Sequence, residues 1–426
     1  MTTEHQQLIL RNRAPDEVVT LEEYLRLDGY QALSKILKTY SPEEVVQVVL
    51  DSGLRGLGGA GFPTGRKWGP LGTDVPFPRY VIANTDEMEP GTYKDRALVY
   101  ANPHTVIEGL IIAGYAASAE RGFIFIRPAY ESSAHRLEKA EEEAREAGYL
   151  SRNILGSGFS LDLHIHRSAG RYICGEAKGL VHALEGKRPH PNIENRLTSQ
   201  GLWGRPTIVN NAETLAFIPP ILRNGAEWFR KLGKRPDAPG NKIYSVSGRV
   251  NHPGVFELPF GTSLREIIEN HAGGMQPGYE YKTCLPGGAS TRYLPKQYYD
   301  IGMDFVSFEK LGHGHRFGTG AVMVFDHKTC LVGATLNLMQ FFARESCGFC
   351  TPCREGLPYV RDLLKRIEDG EGKEEYIPLL KSMCGHMSKA YCAFAPGAAA
   401  PVMGLVEDFV EEIHEHISQE KCPYKP

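Results

Sequence analysis

Hydrophobic positions along the first half of the chain fall into short apolar runs separated by amphipathic stretches. RYVIAN (79–84), GFIFIR (122–127) and LDLHIHR (161–167) read as strands, the first of them buried. Between them, residues 95–119 and 132–147 carry helical periodicity. Strands alternating with helices imply a mostly parallel sheet covered by helices, an α/β fold that gathers ligands at the carboxyl ends of its strands. Ahead of this, Ser41-Pro42-Glu43-Glu44 leads into VVQVVL with the signature of a capped helix: Ser as N-cap, Pro at the first position, Glu three residues on. The opening stretch to about Asp28 is polar and reads as an arm.

The pattern changes at KRPDAPGN (234–241), a Pro/Gly/Lys stretch of the kind that links domains. IYSVSGRV, VFELP, a helix over 263–272 and AVMVFD then form a small β-rich unit. From Leu331 the periodicity is helical to the end, with helices over 331–344, 357–368 and 402–417. The expected division is an arm at 1–30, an α/β domain at 31–236, a β-rich domain at 237–328 and a helical bundle at 329–426.

Composition narrows the function. In 426 residues, 48 basic and 51 acidic side chains leave a formal charge of -3, so no global field points to nucleic acid or to an anionic membrane. The longest apolar-leaning stretch, 106–119, is interrupted by Glu108 and several glycines, which predicts no membrane insertion and a cytoplasmic protein. Nine cysteines are too few for a secreted disulfide scaffold, and three of them crowd into CGFCTPC.

That run places Cys347, Cys350 and Cys353 at the C-x2-C-x2-C spacing with which a short loop turns three thiolates onto one iron–sulfur cubane. Zinc sites more often use two separated pairs. The fourth ligand is expected at Cys392, in the Gly/Ala/Pro-rich YCAFAPGAAA, with Cys384 as the alternative. Cys174, Cys284, Cys330 and Cys422 read as small buried hydrophobes.

RGLGGAGFPTGRKW contains Gly56-x-Gly58-x-x-Gly61, formally a dinucleotide fingerprint, but it follows a helix and runs into Pro63, which the usual strand-to-helix context excludes. Glycines at 56, 58, 59, 61 and 65 would still let a ligand approach, with Lys67 as a counter-charge. NTDEMEPGTYKDR begins at a strand end, so Asn84, Asp86, Glu87 and Glu89 stand where such sheets present ligands; an acidic, solvated loop is the competing reading. Glu176 lies at a helix start beyond Gly175, and Asn210 and Asn211 precede a helix that they are suited to cap.

Taken in order, RGLGGAGFPTGRKW, NTDEMEPGTYKDR, GRYICGE, GLWGRPTIVNNAETL, GRVNHPGVFELPFGTSLREI and ESCGFCTPCREG resemble the NADH-binding flavoprotein subunit of the complex I, NADH:quinone oxidoreductase family, over roughly residues 30–420. The resemblance implies a Rossmann-like FMN domain, a ubiquitin-like β-grasp domain and a helical bundle holding a 4Fe-4S cluster. It implies an NAD(P)H dehydrogenase subunit of electron transport. Gly56, Gly58, Gly59, Lys67, Asn84, Asp86, Glu87, Gly175, Glu176, Asn210, Asn211 and Thr214 would hold FMN. Phe62 and Glu89 would contact NADH, and Cys347, Cys350, Cys353 and Cys392 would ligate the cluster. No side chain is expected to act as acid or base, because the cofactors carry the chemistry. Expected partners are a thioredoxin-like 2Fe-2S subunit and a larger iron–sulfur subunit, which would hold the chain at the inner membrane peripherally.

Two motifs depart from the family. GEAKGL stands where GEETAL is usual, so Ala177 removes a carboxylate expected on the adenosine ribose and Lys178 adds a cation. PNIENRLTSQ (191–200) replaces a KPPFPA stretch. Besides NADH oxidation these departures allow an NADPH-accepting variant, with Lys178 and Arg196 on the phosphate, or a relay of flavin and cluster that binds no dinucleotide.

Overall fold

A computed structural model describes residues 7–11, 17–69, 76–191 and 196–425. Contacts divide the chain into two units. The first takes in the sequence up to Met88, Tyr93–Tyr244 and Glu257–Gly261; the second comprises Glu89–Thr92, Ser245–Phe256 and Thr262–Pro426.

In the first unit, β1 (Tyr80–Thr85), β2 (Arg121–Ile126), β3 (Asp162–Arg167) and β4 (Thr207–Asn211) form a sheet of order β3-β2-β1-β4. Every pairing is parallel, with Tyr80 opposite Arg121 and Thr207, and Arg121 opposite Asp162. The central strands are apolar throughout because both faces are covered: Val81, Ile82, Ala83, Phe123, Ile124 and Phe125 are all buried. Edge strand β3 buries Leu163 between exposed Asp162 and His164.

Residues 95–119, expected as one helix, are two: Lys94–Ala101 and Pro103–Ala116. Asn102 between them is non-helical (φ -142°, ψ 68°), since the ring of Pro103 disfavours helical backbone in the residue before it. Within the second helix Gly109 permits close contact with the helix Ala212–Ala216, where a Cβ would come 2.0 Å from the Leu215 carbonyl oxygen. Glu108, which interrupts the apolar run in sequence, is wholly buried and structural. Its carboxylate accepts from the Tyr24 hydroxyl (2.5 Å), Tyr30 N (2.9 Å) and Leu33 N (3.1 Å).

The described part of the opening stretch makes specific contacts within the first unit. Leu8 and Ile9 are buried, and the N–H groups of Leu8, Ile9 and Leu10 all donate to the carboxylate of Glu257 at 2.8–3.0 Å. A helix at Leu21–Arg26 follows, capped by Thr20. The capped helix expected after Ser41 runs from Pro42 to Asp51 with its reciprocal Ser41–Glu44 bonds in place.

The sheet containing the second unit's strands has the order β6-β5-β8-β7, from β5 (Asn241–Gly248), β6 (Gly254–Pro259), β7 (Tyr281–Leu285) and β8 (Ala321–Asp326). β5 runs parallel and β7 antiparallel to β8. The helix expected over 263–272 is one turn, Leu264–Glu266, continued by a π-turn at Ile267–His271. Beyond β8, helices Leu331–Glu345, Thr351–Glu368, Tyr376–Met387, Phe394–Asp408 and Val410–Gln419 pack around Met339, Phe342, Leu357, Val360, Leu364, Leu380, Val402 and Leu405. The helix expected over 402–417 breaks at Phe409. Among the described residues no helix is long and apolar enough to cross a membrane.

Candidate flavin and iron–sulfur sites

The carboxyl ends of β1 and β4 place Asn84 beside Asn211 and Ala83 beside Asn210, with Asp86 two residues beyond Asn84. Asn84 Nδ2 donates to the Gly175 carbonyl at 2.8 Å, tying β1 to the turn before the helix Ala177–Leu184. Glu176 caps that helix, its Oε2 accepting from the N–H groups of Lys178 and Gly179 at 2.9 Å, and burial raises its pKa. Asp86 Oδ1 accepts from the Ser168 hydroxyl at 2.6 Å, while Oδ2 is buried with no partner among the described residues. Burial is the main cause that lifts the Asp86 carboxyl to about 6, against the opposing pull of Ser168 and Arg127.

Glu87 is turned inward. Its oxygens accept from Asp95 N (2.9 Å) and Arg96 N (3.1 Å) at the start of the helix Lys94–Ala101, and burial, reinforced by Asp95, brings its pKa to about 7. Asn211 caps the helix Ala212–Ala216 as expected, and its Nδ2 also donates to Asp95 Oδ2 at 2.7 Å. Asn210 Oδ1 instead accepts from the Trp68 indole at 2.9 Å.

The glycine loop lies over this edge. An isolated bridge between Arg55 and Pro63 closes it, Gly56 N donates to the Phe62 carbonyl (2.8 Å) and Gly61 N to that of Gly56 (3.2 Å). The N–H groups of Gly56 and Gly61 are therefore used inside the loop. Thr214 Oγ1 accepts from Leu57 N at 2.8 Å, and a Cβ on Gly58 would lie 3.1 Å from Asn211 Cβ, so the loop rests directly on the β4 end. Gly59 and Gly61 have positive φ, 120° and 64°. Gly65 serves packing, since a Cβ there would meet the Leu50 backbone at 2.6 Å. Lys67 reaches the Val209 carbonyl at 2.9 Å and is buried enough to lower its pKa.

Beneath these residues lies a buried ionic group that sequence reading passes over. Lys94 contacts Asp95 (2.7 Å) and Glu213 (3.0 Å), and Lys242 contacts Glu213 (2.7 Å). Lys94, Asp95 and Glu213 sit in stretches that look solvated or merely capping. The nearest signal is their position beside the asparagines at strand ends.

Of the two residues expected to contact a dinucleotide, Phe62 is half exposed in the first unit. Glu89 belongs to the second, where its Oε1 accepts from Ser290 N at 2.5 Å. Ala177 is the first residue of its helix and Lys178 the second, while Arg196 precedes the short helix Leu197–Gln200. Residues 192–195 of the divergent segment lie outside the described residues.

In the second unit, Cys347, Cys350 and Cys353 span the turn into the helix Thr351–Glu368, with Cys350 at its N-cap. Gly348 takes a φ of 71°, and the Arg354 guanidinium donates to its carbonyl at 3.2 Å. Cys353 Sγ is 3.2 Å from Ser346 Oγ. Its thiol is pushed up to about 12, by burial first and then by Cys350, Cys392 and Cys347 beside it, so these four thiols share one neighbourhood. Cys384 faces elsewhere, toward the Ala399 carbonyl and the charge of Glu407. The segment after Cys392, expected as a loop, is largely the helix Phe394–Asp408, and the Tyr391 and Phe349 rings pack at 5.7 Å between the two cysteine segments. Among the described residues no cysteine forms a disulfide.

Each part of the chain has counterparts among known proteins. Residues 49–220 match the Nuo51 FMN-binding domain, 333–416 the NADH-ubiquinone oxidoreductase-F iron-sulfur binding region and 243–293 the SLBB domain. The NADH-quinone oxidoreductase F subunits of Salmonella typhimurium and of Escherichia coli are each 46% identical over 98% of this chain and 94% of their own. An air-oxidized NAD+-reducing [NiFe]-hydrogenase superposes with a TM-score of 0.80 at 32% identity, over 97% of this chain and 67% of that one. The chain belongs to the family of NADH-quinone oxidoreductase F subunits, oxidoreductase subunits with an FMN-binding domain and a 4Fe-4S region.

Proposed function

We propose that the first unit binds FMN at the ends of β1 and β4, and that the second binds a 4Fe-4S cluster through Cys347, Cys350, Cys353 and Cys392. Together they make the chain the NADH-oxidising entry point of a multi-subunit redox complex. FMN supplies two-electron chemistry toward NADH and one-electron chemistry toward an iron–sulfur cluster.

The observation that carries this reading is the strand-end surface. Asp86 keeps a buried, unpartnered oxygen there, Asn84 pairs with Asn211 at the adjoining strand ends, and the glycine loop approaches so closely that Gly58 has little room for a Cβ. Such a surface suits a planar, amide-rich ring with a polyhydroxyl tail. Gly56, Gly58 and Gly59 would let the ligand lie against backbone, and Lys67 would face its phosphate. Asn84, Asp86, Asn210 and Asn211 would meet ring and ribityl groups, with Gly175, Glu176 and Thr214 shaping the walls. Glu87, bonded to the start of the helix Lys94–Ala101, would fix the loop that carries Asp86. Phe62 and Glu89 would contact NADH.

The segments 31–236, 237–328 and 329–426 would be the flavin, β-grasp and cluster domains, with 1–30 as an N-terminal arm. A thioredoxin-like 2Fe-2S subunit and a larger iron–sulfur subunit would take the electrons onward, holding the chain in the cytoplasm against the inner membrane.

Anaerobic titration of the isolated chain tests the reading. NADH is expected to bleach the flavin; bleaching by dithionite but by neither NADH nor NADPH would refute it.

A further inference from the structure

Cys330 and Cys422, which spacing alone leaves as buried small hydrophobes, meet Glu368 and His416 at one point in the second unit. Cys330 precedes the helix Leu331–Glu345, Glu368 ends the helix Thr351–Glu368, His416 lies in the helix Val410–Gln419, and Cys422 follows it. One donor atom from each residue lies within 4.8 Å of the donor atoms of the other three. Cys330 Sγ is 3.3 Å from Glu368 Oε2 and 3.3 Å from His416 Nε2, and these last two are 3.3 Å apart. Around a tetrahedral ion with bonds of about 2.0–2.3 Å, ligand atoms stand about 3.3–3.8 Å from one another. Three of the contacts already have that spacing.

The contacts around the four groups sharpen the case. His416 Nδ1 is 2.6 Å from the carbonyl oxygen of Glu412, which can only accept, so Nδ1 carries the hydrogen and the other ring nitrogen, Nε2, is turned toward the other three groups. Holding one imidazole nitrogen on a carbonyl so that the other can bind is the usual support for a metal-ligating histidine. Glu368 is oriented likewise: Lys425 Nζ holds Oε1 at 2.9 Å and leaves Oε2 for the shared point. Gly333 N–H donates to Cys330 Sγ at 3.1 Å, which holds the sulfur at the start of its helix. An imidazole nitrogen, a carboxylate oxygen and two sulfurs thus converge where water is excluded, Glu368, His416 and Cys422 all being buried.

The geometry points to a structural zinc site made by Cys330, Glu368, His416 and Cys422, separate from the cluster cysteines. Two thiolates, an imidazole and a carboxylate in a closed set of four suit zinc better than magnesium or calcium, which want oxygen alone. With the dication bound, the set carries one residual negative charge, which Lys425 offsets. The ion would join the start of one helix, the end of the next, the last helix and the chain end, fixing the bundle that bears the cluster without taking part in electron flow.

The test uses the full chain purified with flavin and cluster. Zinc and iron are counted per chain by plasma mass spectrometry after gel filtration with EDTA, and the zinc shell is read by K-edge absorption. About one zinc is expected, with two sulfurs at about 2.3 Å and two nitrogen or oxygen atoms at about 2.0–2.2 Å. Cys422→Ser combined with His416→Ala should remove the zinc while flavin and iron stay at wild-type content. A readout free of variants is alkylation of the native protein: Cys330 and Cys422 should resist iodoacetamide until a strong chelator extracts zinc. Absence of zinc after growth in zinc-supplemented medium, a shell of four sulfurs, or a Cys330–Cys422 disulfide in the peptide map would each overturn the assignment.

Discussion

Lys242 Nζ lies 2.7 Å from Glu213 Oε2, with both side chains wholly removed from water. The same oxygen holds Lys94 at 3.0 Å, and Glu213 Oε1 accepts from Ile243 N at 2.6 Å, so one carboxylate serves two ammonium groups and a backbone donor. Burial draws Lys242 down to about 8 even against the attraction of Glu213. Replacing Glu213 by Gln leaves Lys242 with Asp95 and Lys94 with Asp95 and Glu87, and breaking a buried pair in this way costs about 3–5 kcal/mol. Lys242→Met leaves Glu213 paired with Lys94 and should cost less. Thermal unfolding of the two variants side by side checks the order; equal damage would mean that the cations do not share the carboxylate in this way.

These positions mark where sequence stops being informative. The central strands were legible because continuous apolar runs such as Val81–Ala83 and Phe123–Ile126 are what burial on both faces requires. The three clustered cysteines were legible because their spacing is itself the chemistry. Glu108, Glu213 and Lys94 were not, since burial of a charge depends on partners supplied from distant segments. Glu108 interrupts an apolar run in sequence, yet it is the acceptor on which Tyr24, Tyr30 and Leu33 converge. The meeting of Cys330 with Cys422 across the bundle is hidden for the same reason.

Asp86 gives the proposed flavin site a pH signature. Its carboxyl stands at about 6 in the folded chain against an ordinary 3.8, so the folded state holds a proton that the unfolded state has released. Its contribution to stability therefore falls as pH rises from about 4 to about 6 and then levels off, with a loss of roughly 1 kcal/mol between pH 5 and 7. Asp86→Asn lacks this dependence. In flavin-depleted protein the denaturation midpoint of the wild type should decline relative to that of Asp86→Asn over this range. A flat or rising difference would show that the carboxyl is not buried as the structure has it.

The cluster's fourth ligand separates two cysteines only eight positions apart. Cys392 lies among the thiols around Cys353, whereas Cys384 faces the Ala399 carbonyl. Cys392→Ser should lose most of the cluster iron and its visible absorption. Cys384→Ser replaces a buried thiol by a hydroxyl, which should lower stability by about 1–2 kcal/mol and leave iron content intact. Iron analysis of the two variants decides the matter, and loss of iron in Cys384→Ser alone would reverse the assignment.

Ala177 and Lys178 set the expected coenzyme preference. Both fall in the first turn of the helix Ala177–Leu184, whose start is already capped by Glu176 Oε2 through the N–H groups of Lys178 and Gly179. A carboxylate in that turn is compatible with the helix, because the N-terminal end favours negative charge. Ala177→Glu with Lys178→Glu should therefore fold normally while offering acceptors to the ribose hydroxyls of NADH and repelling the extra phosphate of NADPH. At an effective dielectric of about 20, a unit charge a few ångströms from another is worth several kcal/mol before screening, so the NADH-to-NADPH ratio of flavin reduction rates should rise at least about tenfold. Anaerobic stopped-flow reduction of wild type and double variant with each coenzyme measures that ratio. An unchanged ratio would place the adenosine end of the dinucleotide away from this turn.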